Sequence, residues 1–237
     1  MTPDAPATSA PNELTRPAPL PEDSFPVRSL TSVNYLLCHL YHDVRVYTPC
    51  RLPRNGPGIL VCNHTSGADP LFIQSACRRL ITWMMAAEYY QVPVPGLPWV
   101  FRSIGIIPVQ RSGRDMPAMR MALRALHKGR ILGVFPEGRI ETGRELLSLQ
   151  TGVAMLAIKS GVPVYPAYLD GTQRGKEIAH AVLTPCAATL IFGPPLQFDR
   201  SSSSRESLEA ATDNIKRAIE ALAAESHSRR ESTWRGW

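Results

Sequence analysis

Gly58-Ile59-Leu60-Val61-Cys62-Asn63-His64-Thr65-Ser66-Gly67-Ala68-Asp69-Pro70 divides into three parts. The first five residues form an unbroken apolar run, the pattern of a short strand buried on both faces. The last two open a helix, with aspartate as its cap and proline at the first helical position. Between them lies a polar loop. Strand, loop and helix in this order begin an α/β unit, and in such sheets the loops after strand carboxyl ends are where sites form.

The alternation continues downstream. Helix is predicted from Asp69 to about Leu80 and strand over Ile81–Ala87. Tyr89–Phe101 is rich in proline and aromatic residues, and Gly105–Val109 is a strand. Asp115–Lys128 is a helix, capped by Asp115, striped by Met116, Met119, Leu123 and Leu126, and stopped by Gly129. Ile131–Phe135, Val162–Leu169 and Ala187–Phe192 read as further strands, with a helix at Gly152–Ser160 ended by Gly161. Strands alternating with helices predict an α/β sheet covered on both faces.

Upstream, residues 1–26 are dominated by Pro, Ala, Thr and Ser and are expected to be disordered. Residues 28–43 then read as an amphipathic helix. Its stripe is Leu30, Val33, Leu37 and Leu40, widened by Tyr35, Leu36 and Tyr41. Two readings stand for it: packed on the core, or lying on a membrane surface. One folded domain is expected over residues 27–200. Residues 201–237 hold a serine linker, a charged helix at Arg205–Ala224 and a basic tail.

The chain has 237 residues, 44% hydrophobic and 19% charged, enough for one sizeable core. No apolar run approaches the roughly 20 residues that span a bilayer. The amino terminus lacks the basic start and apolar stretch of a secretory signal. Five cysteines occur without CxxC spacing, which reads as reduced thiols in a cytosolic protein. The formal charge is +6, and the excess is concentrated in residues 78–130, with nine basic and two acidic side chains. A basic block inside a domain suits a phosphate-bearing partner; some of it is also expected to be a solvated helix face. No nucleic-acid motif accompanies it, and arginines at strand ends suit a pocket better than a groove-tracking surface.

His64 follows the first strand of the unit. An imidazole titrates near neutrality and can take a proton from an attacking hydroxyl. Asp69, five residues on, can fold back to orient it. Taken alone, Asp69 also reads as a simple helix cap, and His64 as a loop histidine bonded to backbone. No second His or Cys lies at metal-ligand spacing nearby. Three later segments add weight. Gly105-Ile106-Ile107-Pro108-Val109-Gln110-Arg111 puts an arginine just past a strand. Phe135-Pro136-Glu137-Gly138-Arg139 puts a carboxylate, a glycine and a second arginine just past another. Val162-Pro163-Val164-Tyr165-Pro166 enters the next. Arginine suits bidentate phosphate binding, and Gly138 allows close backbone approach.

NHxxxxD, GxIPVxR, FPEG and VPxxP, in this order from about Asn55 to Gly171, resemble the glycerolipid acyltransferase family, whose best-known members are 1-acylglycerol-3-phosphate acyltransferases. The resemblance implies a mixed, mostly parallel central α/β sheet flanked by helices, with the amphipathic helix at its amino-terminal end. It implies His64 as catalytic base and Asp69 as its partner. It implies Asn63, Arg111, Glu137, Gly138 and Arg139 as substrate-binding residues, with Arg111 on the acceptor's phosphate, and Pro163 and Pro166 as shaping the acyl pocket. Donors in the family are acyl-CoA or acyl carrier protein, the acceptor is a lysophospholipid, and attack is direct, without cofactor, metal or covalent intermediate. A cytoplasmic enzyme attached peripherally to the inner face of the membrane is expected, with no nucleic-acid partner. The sequence departs from the family at Arg139-Ile140-Glu141-Thr142-Gly143, at Leu149-Gln150-Thr151-Gly152 and at Gln110. These positions lie where the family recognises the acceptor headgroup. Two alternatives keep the fold. In one the acceptor is another lysophospholipid or an aminolipid, and in the other the protein binds lipid without catalysis.

Overall fold

The computed structural model describes residues 22–90, 96–110, 115–140, 149–200 and 204–234. Helix α1 (Phe25–Leu36) runs into a π-helical turn at Leu37–Tyr41. There follow β1 (Asp43–Val46), β2 (Gly58–Cys62), α2 (Asp69–Ser75), β3 (Ile81–Ala86), α3 (Ala87–Tyr90), α4 (Leu97–Ile104), β4 (Ile107–Val109) and α5 (Met116–His127). The chain continues through β5 (Ile131–Val134), α6 (Gly152–Ser160), β6 (Val164–Asp170), α7 (Ile178–Leu183), β7 (Ala187–Phe192) and α8 (Arg205–Trp234).

The strands form one sheet in the order β1-β7-β6-β2-β5-β3-β4. Among these strands only the β6–β7 pairing is antiparallel. The sheet is therefore mixed and mostly parallel, as expected. Every residue of β2 is buried, which accounts for its unbroken apolar run. Successive side chains of a strand point to opposite faces. Leu60 and Cys62 accordingly join Phe72 and Ile73 of α2, while Ile59 and Val61 join α5, α6 and α8 through Ala122, Leu156 and Ile219.

Local signals set the helix ends. Asp115 accepts from the Ala118 N–H at 2.9 Å and caps α5; Gly161, at φ 62°, ends α6. Helix α2 stops at Ser75, short of the predicted Leu80, because Gln74 folds over its end. Gln74 Nε2 donates to the carbonyls of Cys77 and Arg79, and its Oε1 accepts from the Ile81 N–H, steering the chain into β3. Helix α1 starts at Phe25, inside the segment expected to be disordered; residues 1–21 lie outside the described residues. The inward face of the helix and its π-helical turn is Val27, Asn34 and Cys38, with Asn34 donating to the Leu71 carbonyl, whereas Val33 and Leu40 of the predicted stripe face outward. The terminal helix is longer than predicted. Buried Ile215, Ile219 and Leu222 seat it on the sheet, and Arg230 pairs with Asp170 at the end of β6.

Part of the basic block serves the fold. Arg79 donates to the carbonyls of Gly56 and Gly129 and pairs with Glu22. Arg130 donates to Thr82 Oγ1, and burial lowers its pKa.

Candidate active site

The carboxyl ends of β2, β5, β3 and β4 share one edge of the sheet because these strands are parallel. His64 leaves that edge from β2. Its Nδ1 lies 3.0 Å from Asp69 Oδ2, and Asp69 is 0% exposed. A carboxylate only accepts, so in the neutral imidazole this contact places the proton on Nδ1 and leaves the lone pair on Nε2. The same Oδ2 accepts the backbone N–H groups of Thr65 at 2.7 Å and Ser66 at 2.8 Å. Asp69 therefore does not cap α2. It sits in the first turn, after Ala68, and faces back into the loop.

Two residues assigned to substrate on the family resemblance have partners within the protein. Asn63 is 4% exposed; its Nδ2 donates to the Leu169 carbonyl and its Oδ1 accepts the Leu169 N–H, each at 2.8 Å. Its amide thus extends the β2–β6 ladder by one side chain. Glu137 is 5% exposed, and its Oε1 accepts the His64 N–H at 3.0 Å. Glu137 thus holds the histidine's backbone directly, while Asn63 ties the residue before it to β6. The loop after β6 adds two more contacts, Gly175 N–H to the Thr65 carbonyl and Gly67 N–H to the Lys176 carbonyl.

The imidazole plane is fixed by a stack that the sequence did not reveal. His64 lies on Phe135 with centroids 4.0 Å apart and planes 12° apart. Phe135 lies in turn on Trp83, at 4.9 Å and 8°. Gly133 makes this possible, since a Cβ there would run into Trp83 and Ile81. Gly138, at φ 71°, shapes the turn that brings Glu137 under the histidine. Beneath the site, burial pushes the Cys62 thiol well up, and the charges of Asp69 and Glu137 push the same way. Both effects favour the thiol form of Cys62 over the thiolate a nucleophile needs.

The remaining assigned residues are placed differently. Arg139 is exposed, two residues past Glu137. Arg111 lies outside the described residues. The register across β3 and β5 puts Val109, the last residue of β4, level with Asn63. The prolines are not brought to the histidine. Pro163 accepts the Ile59 N–H at the opposite end of β2. Pro166 pairs with Val61, and its ring lies beside Gly193 near Leu222, under α8.

An imidazole oriented by a buried carboxylate is equipped to draw a proton from a hydroxyl, which defines an α/β fold with a general-base site. It belongs to the Acyltransferase family, whose model matches residues 43–170, more than half of the chain, and it is an O-acyltransferase. It is 26% identical over 193 residues to the 1-acyl-sn-glycerol-3-phosphate acyltransferase of Bacillus subtilis, covering 79% of this chain and 92% of that protein. It is 28% identical over 126 residues to the lyso-ornithine lipid O-acyltransferase of Pseudomonas aeruginosa, covering 53% of this chain and 47% of that protein. The crystal structure of the 1-acyl-sn-glycerophosphate (LPA) acyltransferase PlsC from Thermotoga maritima has the same fold, with a TM-score of 0.64 at 24% identity over 84% of this chain and 80% of that one.

Proposed function

We propose that the enzyme moves a fatty acyl group from acyl-CoA or acyl carrier protein to the hydroxyl of a lysophospholipid, with 1-acylglycerol-3-phosphate as the first acceptor. The His64–Asp69 contact at 3.0 Å carries this reading. His64 Nε2 takes the proton of the acceptor hydroxyl as its oxygen attacks the thioester carbonyl. Asp69 holds Nδ1–H and steadies the imidazolium. The tetrahedral adduct collapses with loss of the donor's thiolate, which takes the proton from His64. No cofactor is used. Arg111 would hold the acceptor's phosphate, with Arg139 beside it.

A second acceptor, a lysolipid with an amine-bearing headgroup, is favoured by one observation. The departures at Gln110 and at residues 139–143 coincide with similarity to an enzyme named for lyso-ornithine lipid. Purified protein assayed against a panel of lysolipids, with both donors, separates the two. Lysophosphatidate should give the highest kcat/KM. Arg111→Lys should lower that value about 10- to 150-fold, the cost of a charge-assisted contact, with the donor's KM unchanged. Preference for an acceptor without phosphate, indifferent to Arg111→Lys, would remove lysophosphatidate as acceptor.

Membrane attachment belongs to the same proposal. No helix among the described residues is long and apolar enough to cross a bilayer. Helix α1 and its π-helical turn instead expose Val33, Leu36 and, at 81%, Leu40. Tyr41 donates to the Leu183 carbonyl, which sets the 73%-exposed Leu183 beside them. These side chains form an apolar surface able to enter the headgroup region. Co-sedimentation with anionic vesicles is expected to fall at least about tenfold in a Val33→Ser/Leu36→Ser/Leu40→Ser variant, at about 0.8 kcal/mol per CH2 withdrawn from lipid. Unaltered sedimentation of that variant would locate the attachment elsewhere.

A further inference from the structure

We propose that Cys50 and Cys77 form a covalent modification site, a dithiol that a small disulfide such as glutathione disulfide closes into a Cys50–Cys77 bridge in the folded enzyme. All five cysteines are free thiols, but their surroundings differ. Cys38 lies against Asn34 and the Leu71 carbonyl, Cys62 against Asn63, and Cys186 against His42. Cys50 and Cys77 instead face each other, sulfur to sulfur, at 3.1 Å. A disulfide needs about 2.05 Å, so closure asks for a movement of about 1 Å.

The backbone at or near each cysteine is anchored by its neighbours. The Cys77 N–H donates to the Gln74 carbonyl, and its own carbonyl accepts from Gln74 Nε2. Cys50 lies two residues past Thr48, whose hydroxyl accepts the Phe192 N–H and donates to the Phe192 carbonyl. The loop after β1 and the end of α2 therefore approach on fixed supports.

The two thiols have unequal roles. Cys50 is partly exposed, and a hydrogen bond donated by Cys77 lowers its pKa. Cys77 is buried, and its bond to Cys50 together with burial raises its pKa. Cys50, the more accessible sulfur, attacks the small disulfide after losing its proton, releasing one glutathione as thiolate. Cys77 then attacks the Cys50 sulfur of the mixed disulfide. It gives up its proton and displaces the second glutathione. Two protein thiols are oxidised, one glutathione disulfide is reduced, and two glutathione thiols leave. The bridge closes a loop that contains β2, His64, Asp69 and α2, so it ties both ends of the candidate catalytic segment. The sulfur–sulfur contact and the His64–Asp69 contact share no residue.

The test treats the reduced, full-length protein with glutathione disulfide and follows free thiols, peptide mass and Tm. The expected result is loss of two thiols, a Cys50–Cys77 crosslink on fragmentation, and a rise in Tm of about 5–15 °C that a reductant reverses. Cys77→Ser should instead retain glutathione on Cys50 and show no rise. Cys50→Ser, altered at the more exposed sulfur, should keep its thiols and its original Tm. Glutathione persisting on wild-type Cys50, a bridge to any other cysteine, or five thiols surviving treatment would each overturn the proposal.

Discussion

His64→Ala is expected to lower acyl transfer by on the order of 10²–10⁴-fold, the range set by removing a general base, with the sheet still folded. The expectation of an intact fold comes from the surroundings of the residue. The contacts that hold the loop are made by backbone: His64 N–H to Glu137, and Thr65 and Ser66 N–H to Asp69. Alanine keeps all of them. What it loses is the ring, its stack on Phe135 and its bond to Asp69. The stack is worth about 0.5–1.5 kcal/mol, too little to unfold a domain of this size. Turnover at saturating donor and acceptor, beside a thermal melt, decides the matter. A folded His64→Ala protein turning over near the wild-type rate would show that the imidazole is not the base.

Asp69→Asn should lower kcat by on the order of 10²-fold or more and also weaken the fold by about 1–3 kcal/mol. The reason lies in how the carboxylate is used. Oδ2 accepts three donors, while Oδ1 is buried without a hydrogen-bond partner among the described residues. An asparagine placing its oxygen at Oδ2 keeps the two backbone bonds and buries an NH2 where Oδ1 stood. Flipped, it points two N–H donors at Thr65, Ser66 and the Nδ1–H of His64. Either pose removes the charge that steadies the imidazolium. The two effects separate experimentally. Were Asp69 only a pin for the loop, the melt would shift while kcat per folded molecule held.

The sequence was most readable where a residue's environment is local or wholly apolar. Strand β2 is buried on both faces and so appears as an apolar run; Asp115, Gly129 and Gly161 punctuate helices through contacts a few residues away. Strand β1 left no such trace. Three of its four residues are exposed, and it is a strand because β7, over 140 positions later in the chain, pairs with it. Helix α4 was concealed by the prolines of its neighbourhood, although Pro98 sits in its first turn, where proline is tolerated. Helix α7 has six residues, too few for a periodic stripe.

The site followed the same division. His64 and Asp69 are five positions apart, so their meeting could be read from spacing. Asn63 and Glu137 were legible as polar residues at strand ends, but not their partners. Leu169 and the His64 N–H lie 106 and 73 positions away. A residue type states what bonds a side chain can make and leaves open with whom. The Trp83–Phe135–His64 stack requires the neighbour relations of β3, β5 and β2, which only the assembled sheet supplies.

The hydrogen bonds that pin residues 63–67 have a thermodynamic consequence. Fixing one residue's backbone costs about 1–2 kcal/mol of conformational entropy. For this loop that loss falls when the chain folds, set against the burial of the whole core. A floppy loop would have to be ordered in every catalytic cycle, out of the binding energy of the acceptor. Here the acceptor meets a histidine whose freedom was surrendered once, long before the acceptor arrived.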